Sequence, residues 1–209
     1  MKNKIYSLVV LFLALSVTSV AANADKNSTS SQEYQIKAAF LYNFVKFTDW
    51  PAGKVSEPNT IIIGLLGEHQ FGNAFGPIKD KPVMDKRLII KDLGRFRQSF
   101  PQDAAGKLEF ANYIEQLRKC HLLFICGSER ENFKAILEAV KGYNVLTVGE
   151  TEDFLDVGGI VTFVPGTDKP VFEVNQKVCE QEGLKISSKV LRLARKVIAD
   201  ENLAASQGK

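Results

Sequence analysis

Ile61-Ile62-Ile63-Gly64-Leu65-Leu66-Gly67 is the stretch on which the fold turns. Ile61 to Leu66 is apolar throughout, rich in β-branched residues and closed by Gly67, so it reads as a short strand buried on both faces. Downstream, Arg87 to Lys91, His121 to Cys126 and Asn144 to Val148 read as further strands. Helical patterns fall between them. A short helix is expected over Phe71 to Ile78. Asp92 to Lys107 reads as loop, punctuated by Gly94, Pro101 and Gly106. Phe110, Ile114 and Leu117 then mark a helix. Ser128 with Glu131 has capping-box spacing and opens another, with Phe133, Ile136, Leu137 and Val140 inward and Gly142 at its end. Thr151 to Asp156 reads as about one and a half helical turns. Gly159 to Val164 and Val171 to Asn175 read as two strands joined by Pro165-Gly166-Thr167-Asp168. Asn175 caps a helix through Glu180, and a last helix is expected from Ser187 or Ser188 to about Ala199. Strands alternating with helices give an α/β fold: a mostly parallel central sheet flanked by helices, three-layered and doubly wound, with a late antiparallel hairpin.

Upstream, Ser30 and Glu33 form another capping pattern. A helix is expected from Glu33 to Phe47, with Ile36, Phe40, Phe44 and Phe47 on one apolar face. It stops ahead of Trp50-Pro51, because the residue before proline avoids helical dihedrals. Asp25 to Gln32 reads as a polar leader. Before it, Lys2 and Lys4 precede an apolar run from Ile5 to Val20 and then Ala22-Asn23-Ala24, the pattern of a signal peptide cleaved after Ala24. The expected organisation is a signal peptide at 1–24, a flexible leader at 25–32, one α/β domain at 33–200 and a polar tail at 201–209. No later stretch is long and apolar enough to span a bilayer, so no membrane insertion of the mature chain is expected.

The 209 residues carry 27 basic and 24 acidic side chains, and loss of Lys2 and Lys4 leaves a formal charge of +1. That balance gives no argument for a nucleic-acid partner. Three cysteines, Cys120, Cys126 and Cys179, enter an oxidising compartment. Cys120 and Cys126 at the two ends of one strand lie about 20 Å apart, too far to pair. At most one intrachain disulfide is therefore expected, and it must use Cys179.

Catalytic signatures are missing from the sequence. It has no P-loop, no Gly-x-Gly-x-x-Gly after the first strand, and no Gly-x-Ser-x-Gly elbow. Cys126-Gly127-Ser128 places a thiol at a strand end without a readable partner constellation. A phospho-receiver needs an aspartate ending the third strand, where Cys126 stands instead. With two histidines, His69 and His121, and neither His-x-x-x-His nor Cys-x-x-Cys, no metal or other cofactor is expected. Glu150, Glu152, Asp153 and Asp156 crowd one short helix and read as a solvated face. In open α/β sheets ligands bind outside the strand carboxyl ends, which makes Gly67, Glu68, His69, Gly127 and Ser128 the candidate ligand rim.

Two stretches go beyond fold class. One is Gln35-Ile36-Lys37-Ala38-Ala39-Phe40-Leu41-Tyr42-Asn43-Phe44, continuing to Trp50-Pro51. The other is the series Cys120 to Ile125, Val145 to Val148, Gly158 to Phe163, Phe172 to Asn175 and Leu184 to Ala194. Together, from about Glu33 to Val197, they closely resemble the YfiR-like family of small exported bacterial proteins. The resemblance implies a periplasmic, non-catalytic regulator. Its best-understood members hold the periplasmic sensor region of an inner-membrane diguanylate cyclase inactive, which lowers cyclic-di-GMP and restrains biofilm. Family members can dimerise, so a homodimer belongs to the implied states. Some use disulfides, a pattern from which the odd cysteine count here departs. Within that reading, Phe172 on the late hairpin and Arg192, Arg195 and Lys196 on the expected last helix are the candidate partner contacts, the three cations suiting an acidic surface. A small-ligand module without a cyclase partner is the alternative.

Overall fold

The computed structural model describes residues 18–54, 59–79, 81–166 and 169–199, with side chains from residue 31 onward. The apolar signal-peptide run before Thr18, the tail 201–209, the proposed domain limit at 200, and Thr167 and Asp168 of the hairpin link lie outside the described residues.

Ile61 to Leu66 is buried as its composition requires. It forms most of β2 (Thr60–Leu66), every residue of which is buried. β3 (Arg87–Asp92) and β4 (Leu122–Ile125) pair with it in parallel on its two sides. β5 (Leu146–Gly149) and β6 (Val161–Val164) continue the parallel sheet, and β7 (Val171–Asn175) adds antiparallel to β6. The seven-stranded order is β3-β2-β4-β5-β6-β7-β9, where β9 is Lys196–Ile198. A second sheet pairs β1 (Thr48–Asp49) with β8 (Lys185–Ile186), a tie between distant segments too short to show in the sequence.

The odd residues of β2, Ile61, Ile63 and Leu65, enter one core with α1 (Thr18–Lys46). Ile62 and Leu66 enter a second core with α2 (Ala104–Arg118) and α3 (Phe133–Val140). Period-two alternation thus serves two apolar layers, which is why Ile61 to Leu66 carries no polar side chain. The short helix α4 (Gln176–Gln181) adds Cys179 to the first core, and its cap forms as expected, Asn175 Oδ1 accepting from Val178 N–H at 3.1 Å.

Several elements depart from the sequence reading. α1 extends back to Thr18, through the expected leader and the Ser30 cap. No proline or glycine interrupts residues 18–46, and Ala21, Ala22 and Ala24 favour helix. Its buried line is Tyr34, Lys37, Ala38, Leu41, Phe44 and Val45, while Ile36, Phe40 and Phe47 flank it half-buried. α2 starts within the expected loop because Asp103 caps it, Oδ1 accepting from Gly106 N–H at 2.8 Å. Phe71 to Ile78 makes only a 3-10 turn at Gly76–Ile78, although Phe71, Phe75 and Ile78 are buried. Ser128 opens a 3-10 turn over Gly127–Asn132, and α3 begins only at Phe133.

The largest departure is at the C-terminus. The expected helix stops after one turn, α5 (Ser188–Leu191), with Ser187 Oγ accepting from Lys189 N–H at 3.3 Å. The chain then runs parallel to β7 as β9, starting from Arg195 N–H on Phe172 C=O at 2.8 Å. Residues 188–199 contain no helix breaker, but β7 presents an open ladder beside them and Val197 and Ile198 are β-branched; tertiary pairing overrides local propensity. Val190, Ala194 and Val197, at helical spacing in the sequence, therefore share no helix face. Val190 is buried, Leu191 half-buried, and Leu193 is 68% exposed.

Gly159, ahead of β6, is where the backbone approaches a ring. A Cβ there would overlap the Phe154 ring and lie 2.7 Å from the Phe154 carbonyl oxygen. Phe154 is fully buried edge-on against Phe133, with centroids 4.9 Å apart, and has nowhere to retreat. Gly159→Ala is expected to cost at least about 1–3 kcal/mol of stability by overpacking. Urea unfolding at constant m checks this, and an unchanged midpoint contradicts it.

Candidate functional site: the carboxyl ends of the parallel strands

From β2 the chain goes to β3 on one side, then crosses back to β4 on the other. Loops therefore leave the carboxyl ends of β2 and β4 in opposite directions, the place where open α/β sheets form a crevice. The structure brings four of the five rim residues together there. Gly67, at φ +100°, turns the chain so that a Cβ would stand 2.7 Å from Ser128 Oγ. The next N–H, of Glu68, donates to Ser128 Oγ at 2.8 Å. Gly127 N–H donates to Glu150 Oε1 at 3.0 Å. The Ser128 hydroxyl thus closes the switch point between the two loops instead of capping a helix. His69 stands apart, with Nε2 3.5 Å from Asp92 Oδ2 on β3 and its ring 5.6 Å from that of Phe71.

The centre of the site is a residue that the sequence reading passed over. Lys37, on the buried line of α1, is 6% exposed. Its Nζ lies 2.8 Å from Glu150 Oε2 and 2.7 Å from Glu33 Oε1, and 4.7 Å above the Tyr34 ring. Burial alone would lower the ammonium pKa, but the two carboxylates outweigh it and raise it, so Lys37 stays charged. Glu150 directly follows β5. It joins three elements: its Oε2 holds α1 through Lys37, and its Oε1 holds the β4 loop through Gly127. Burial, then the Glu150 charge, pushes the Tyr34 phenol and the Cys126 thiol well above their ordinary ranges. Cys126 therefore remains a protonated thiol, which removes it as a strand-end nucleophile.

Beside the pair lies a cleft of about 280 Å³, between residues 32–37 of α1 and the β6–β7 link, lined by Glu33, Ile36, Lys37, Glu150, Phe163 and Pro165. Both charged groups on its floor are already satisfied by one another. The arrangement fastens a helix to a sheet, each charge of the Lys37–Glu150 pair being taken up by the other. Asp153, from the acidic cluster, pairs outward with Arg130 at 2.8 Å. Among the described residues no group of three or more His, Cys, Asp or Glu side chains could hold a metal ion, and no helix is long and apolar enough to cross a membrane. Cys120, Cys126 and Cys179 are all buried free thiols, so the one disulfide allowed to Cys179 is not formed.

The candidate partner contacts separate. Phe172 is 1% exposed, packed against Phe40 and Phe44 with centroids 5.2 and 4.9 Å away; it belongs to the core, and its side chain is not available to a partner. Its alternate-residue position on β7 points it inward, as the burial pattern of that strand shows. Arg195 donates from Nε and Nη2 to Glu173 Oε1 at 2.9 and 2.7 Å, across the β7–β9 pair. Arg192 and Lys196 are exposed.

Sequence search finds no match among curated proteins. Among solved structures, the ABC domain in complex with L-Trp from Streptococcus pneumonia is similar at 15% identity and TM-score 0.45, covering 69% of this chain and 57% of that one. A conserved domain protein from Vibrio cholerae O1 biovar El Tor is similar at 12% identity and TM-score 0.43, covering 68% and 56%. The chain thus spans a little over half of either structure. The family model described as DUF4154, YfiR/HmsC-like, matches residues 34–195, from the Tyr34 beside the Lys37–Glu150 pair to the Arg195 that pairs with Glu173, and the chain belongs to that family.

Proposed function

We propose that this protein is a non-catalytic periplasmic regulator that binds the periplasmic sensor region of an inner-membrane diguanylate cyclase and holds it inactive. Membership of a family of periplasmic regulators carries the reading. The site supports it. The strand-end thiol is buried and protonated, the charged pair is satisfied within the fold, and the Ser128 hydroxyl is engaged by the Glu68 N–H. Inhibition of this kind needs no chemistry, only tighter binding to the inactive state of the partner. The signal peptide ending at Ala24 provides export, and cleavage there leaves a mature chain that starts within α1.

Arg192 and Lys196 are the contacts proposed for an acidic partner surface, since both are exposed on the segment that ends the sheet. The double variant Arg192→Glu, Lys196→Glu is expected to unfold within about 0.5 kcal/mol of the parent, as surface changes do. It should fail to lower cyclic-di-GMP when it replaces the parent in cells. Full repression by a folded double variant removes these residues from the interface.

A further inference from the structure

β3 is the outermost strand of the large sheet, and among the described residues no strand pairs with its outer side. Arg87 N–H bonds Asn59 C=O at 3.0 Å and Leu93 N–H bonds Leu65 C=O at 2.8 Å, so the odd residues of β3 turn their backbone groups to β2. Leu88, Ile90 and Asp92 turn theirs outward. Natural edges are usually shortened, bulged or covered. This one is six regular residues long, and no strand among those described pairs with its outer side. A groove of about 1100 Å³ runs along it, with Phe71, Phe75, Leu88 and Ile90 among its apolar lining and Lys81 and Lys86 at its rim. The groove's lining carries Lys79, Lys81, Lys86 and Arg87 against Asp85 and Asp92. In a mature chain of nearly balanced charge, that is a local cationic field beside an unpaired ladder.

We propose that the open edge of β3 is a strand-addition site for an extended segment of a protein partner in which apolar residues alternate with Asp or Glu. Main-chain bonds to Leu88, Ile90 and Asp92 would supply affinity, and alternate side chains the selectivity. On the face shared by Leu88 and Ile90, the incoming residues meet the groove wall at Phe71 and Phe75, which favours apolar side chains. On the other face they lie beside the exposed Arg87, which favours a carboxylate. A second copy of the chain fits poorly. A symmetric antiparallel pair opposes residues of the same face. Centred on Ile89 it sets Arg87 against Lys91 of the other copy, like against like. Centred on Ile90 it sets Ile89 against Lys91 and Leu88 against Asp92. The site is separate from Arg192 and Lys196, and it stands or falls independently of the cyclase reading.

Amide hydrogen exchange on the intact purified chain tests it, with two short peptides as probes, one alternating Val and Glu, the other Val and Lys. In the free protein the amides of Leu88, Ile90 and Asp92 should exchange quickly and those of Arg87 and Ile89 slowly. Millimolar Val–Glu peptide should slow the outward three by about tenfold or more. High salt, or the double variant Lys86→Glu, Arg87→Glu, should weaken that protection. Unchanged exchange of the β2 amides will show that the variant is folded. Equal protection by the Val–Lys peptide, no protection by either peptide, outward amides already slow in dilute free protein, or protection that rises with protein concentration alone would each overturn the proposal.

Discussion

Glu150→Ala is expected to destabilise the protein by about 3–5 kcal/mol, a large share of a typical domain's stability. The side chains of Lys37 and Glu150 are 7% and 14% exposed, so loss of the carboxylate leaves a charge inside the fold. It also leaves Gly127 N–H without its acceptor. Glu33 still reaches Lys37 at 2.7 Å but is 44% exposed and so holds the ammonium in a wetter setting. Glu150→Gln keeps an acceptor for Gly127 and removes only the charge, so it should cost less than the alanine. Replacing both members, Lys37→Met with Glu150→Gln, should recover much of the loss, because no charge is left buried and the acceptor for Gly127 N–H is kept. A double variant as unstable as Glu150→Ala would mean that the pair is not energetically coupled.

A second large effect is expected below neutral pH. His121 is buried, and its Nδ1 accepts Ile62 N–H at 3.2 Å, a bond that only the neutral ring can take. Trp50 packs edge-on against the ring, with centroids 5.5 Å apart. Burial first, and then Lys54 and Lys86, pushes the imidazole pKa down to about 4. The unfolded chain takes up this proton near pH 6.5 while the folded chain refuses it until about pH 4. The stabilisation is therefore complete above the unfolded pKa and is lost as pH falls through that window. The total is on the order of 3 kcal/mol. Urea unfolding at a series of pH values should show stability falling between these limits and levelling off, in this group's share, below them. His121→Asn, with a side-chain oxygen that can still accept and no proton to gain, should flatten that part of the curve. The same slope in the variant would assign it to other groups.

How far the sequence carried the structure follows from where the signals were local. Ile61 to Leu66 could be read as doubly buried because every position is apolar, and the observed two cores use both faces. Asn175 could be read as a cap because capping is settled within four residues. The C-terminal segment could not be read that way: VLRLARKVI has helical propensity, and only the neighbouring β7 decides that it becomes a strand. Phe172 looked like a surface aromatic for the same reason, since α1, which covers it, is about 130 residues away in sequence. Lys37 was missed because a lysine on an amphipathic helix normally points to water. One signal was present. Lys37 lies three residues after Tyr34 and four before Leu41, inside the arc that α1 buries, and four after Glu33. A cation in that arc implies a partner, although nothing local names Glu150. The placement of Gly67, Glu68, Gly127 and Ser128 at the strand carboxyl ends was legible from the topology rule alone, whereas the bond from Glu68 N–H to the Ser128 hydroxyl depends on side-chain geometry.

The proposed repression of a membrane diguanylate cyclase is decided by the cyclic-di-GMP content of cells that lack this protein while the cyclase is shown to be present. Repression by binding predicts a rise on deletion, reversed by supplying the exported chain and not by a version without residues 1–24. An unchanged level in the deletion strain, with the cyclase demonstrably expressed, would contradict it.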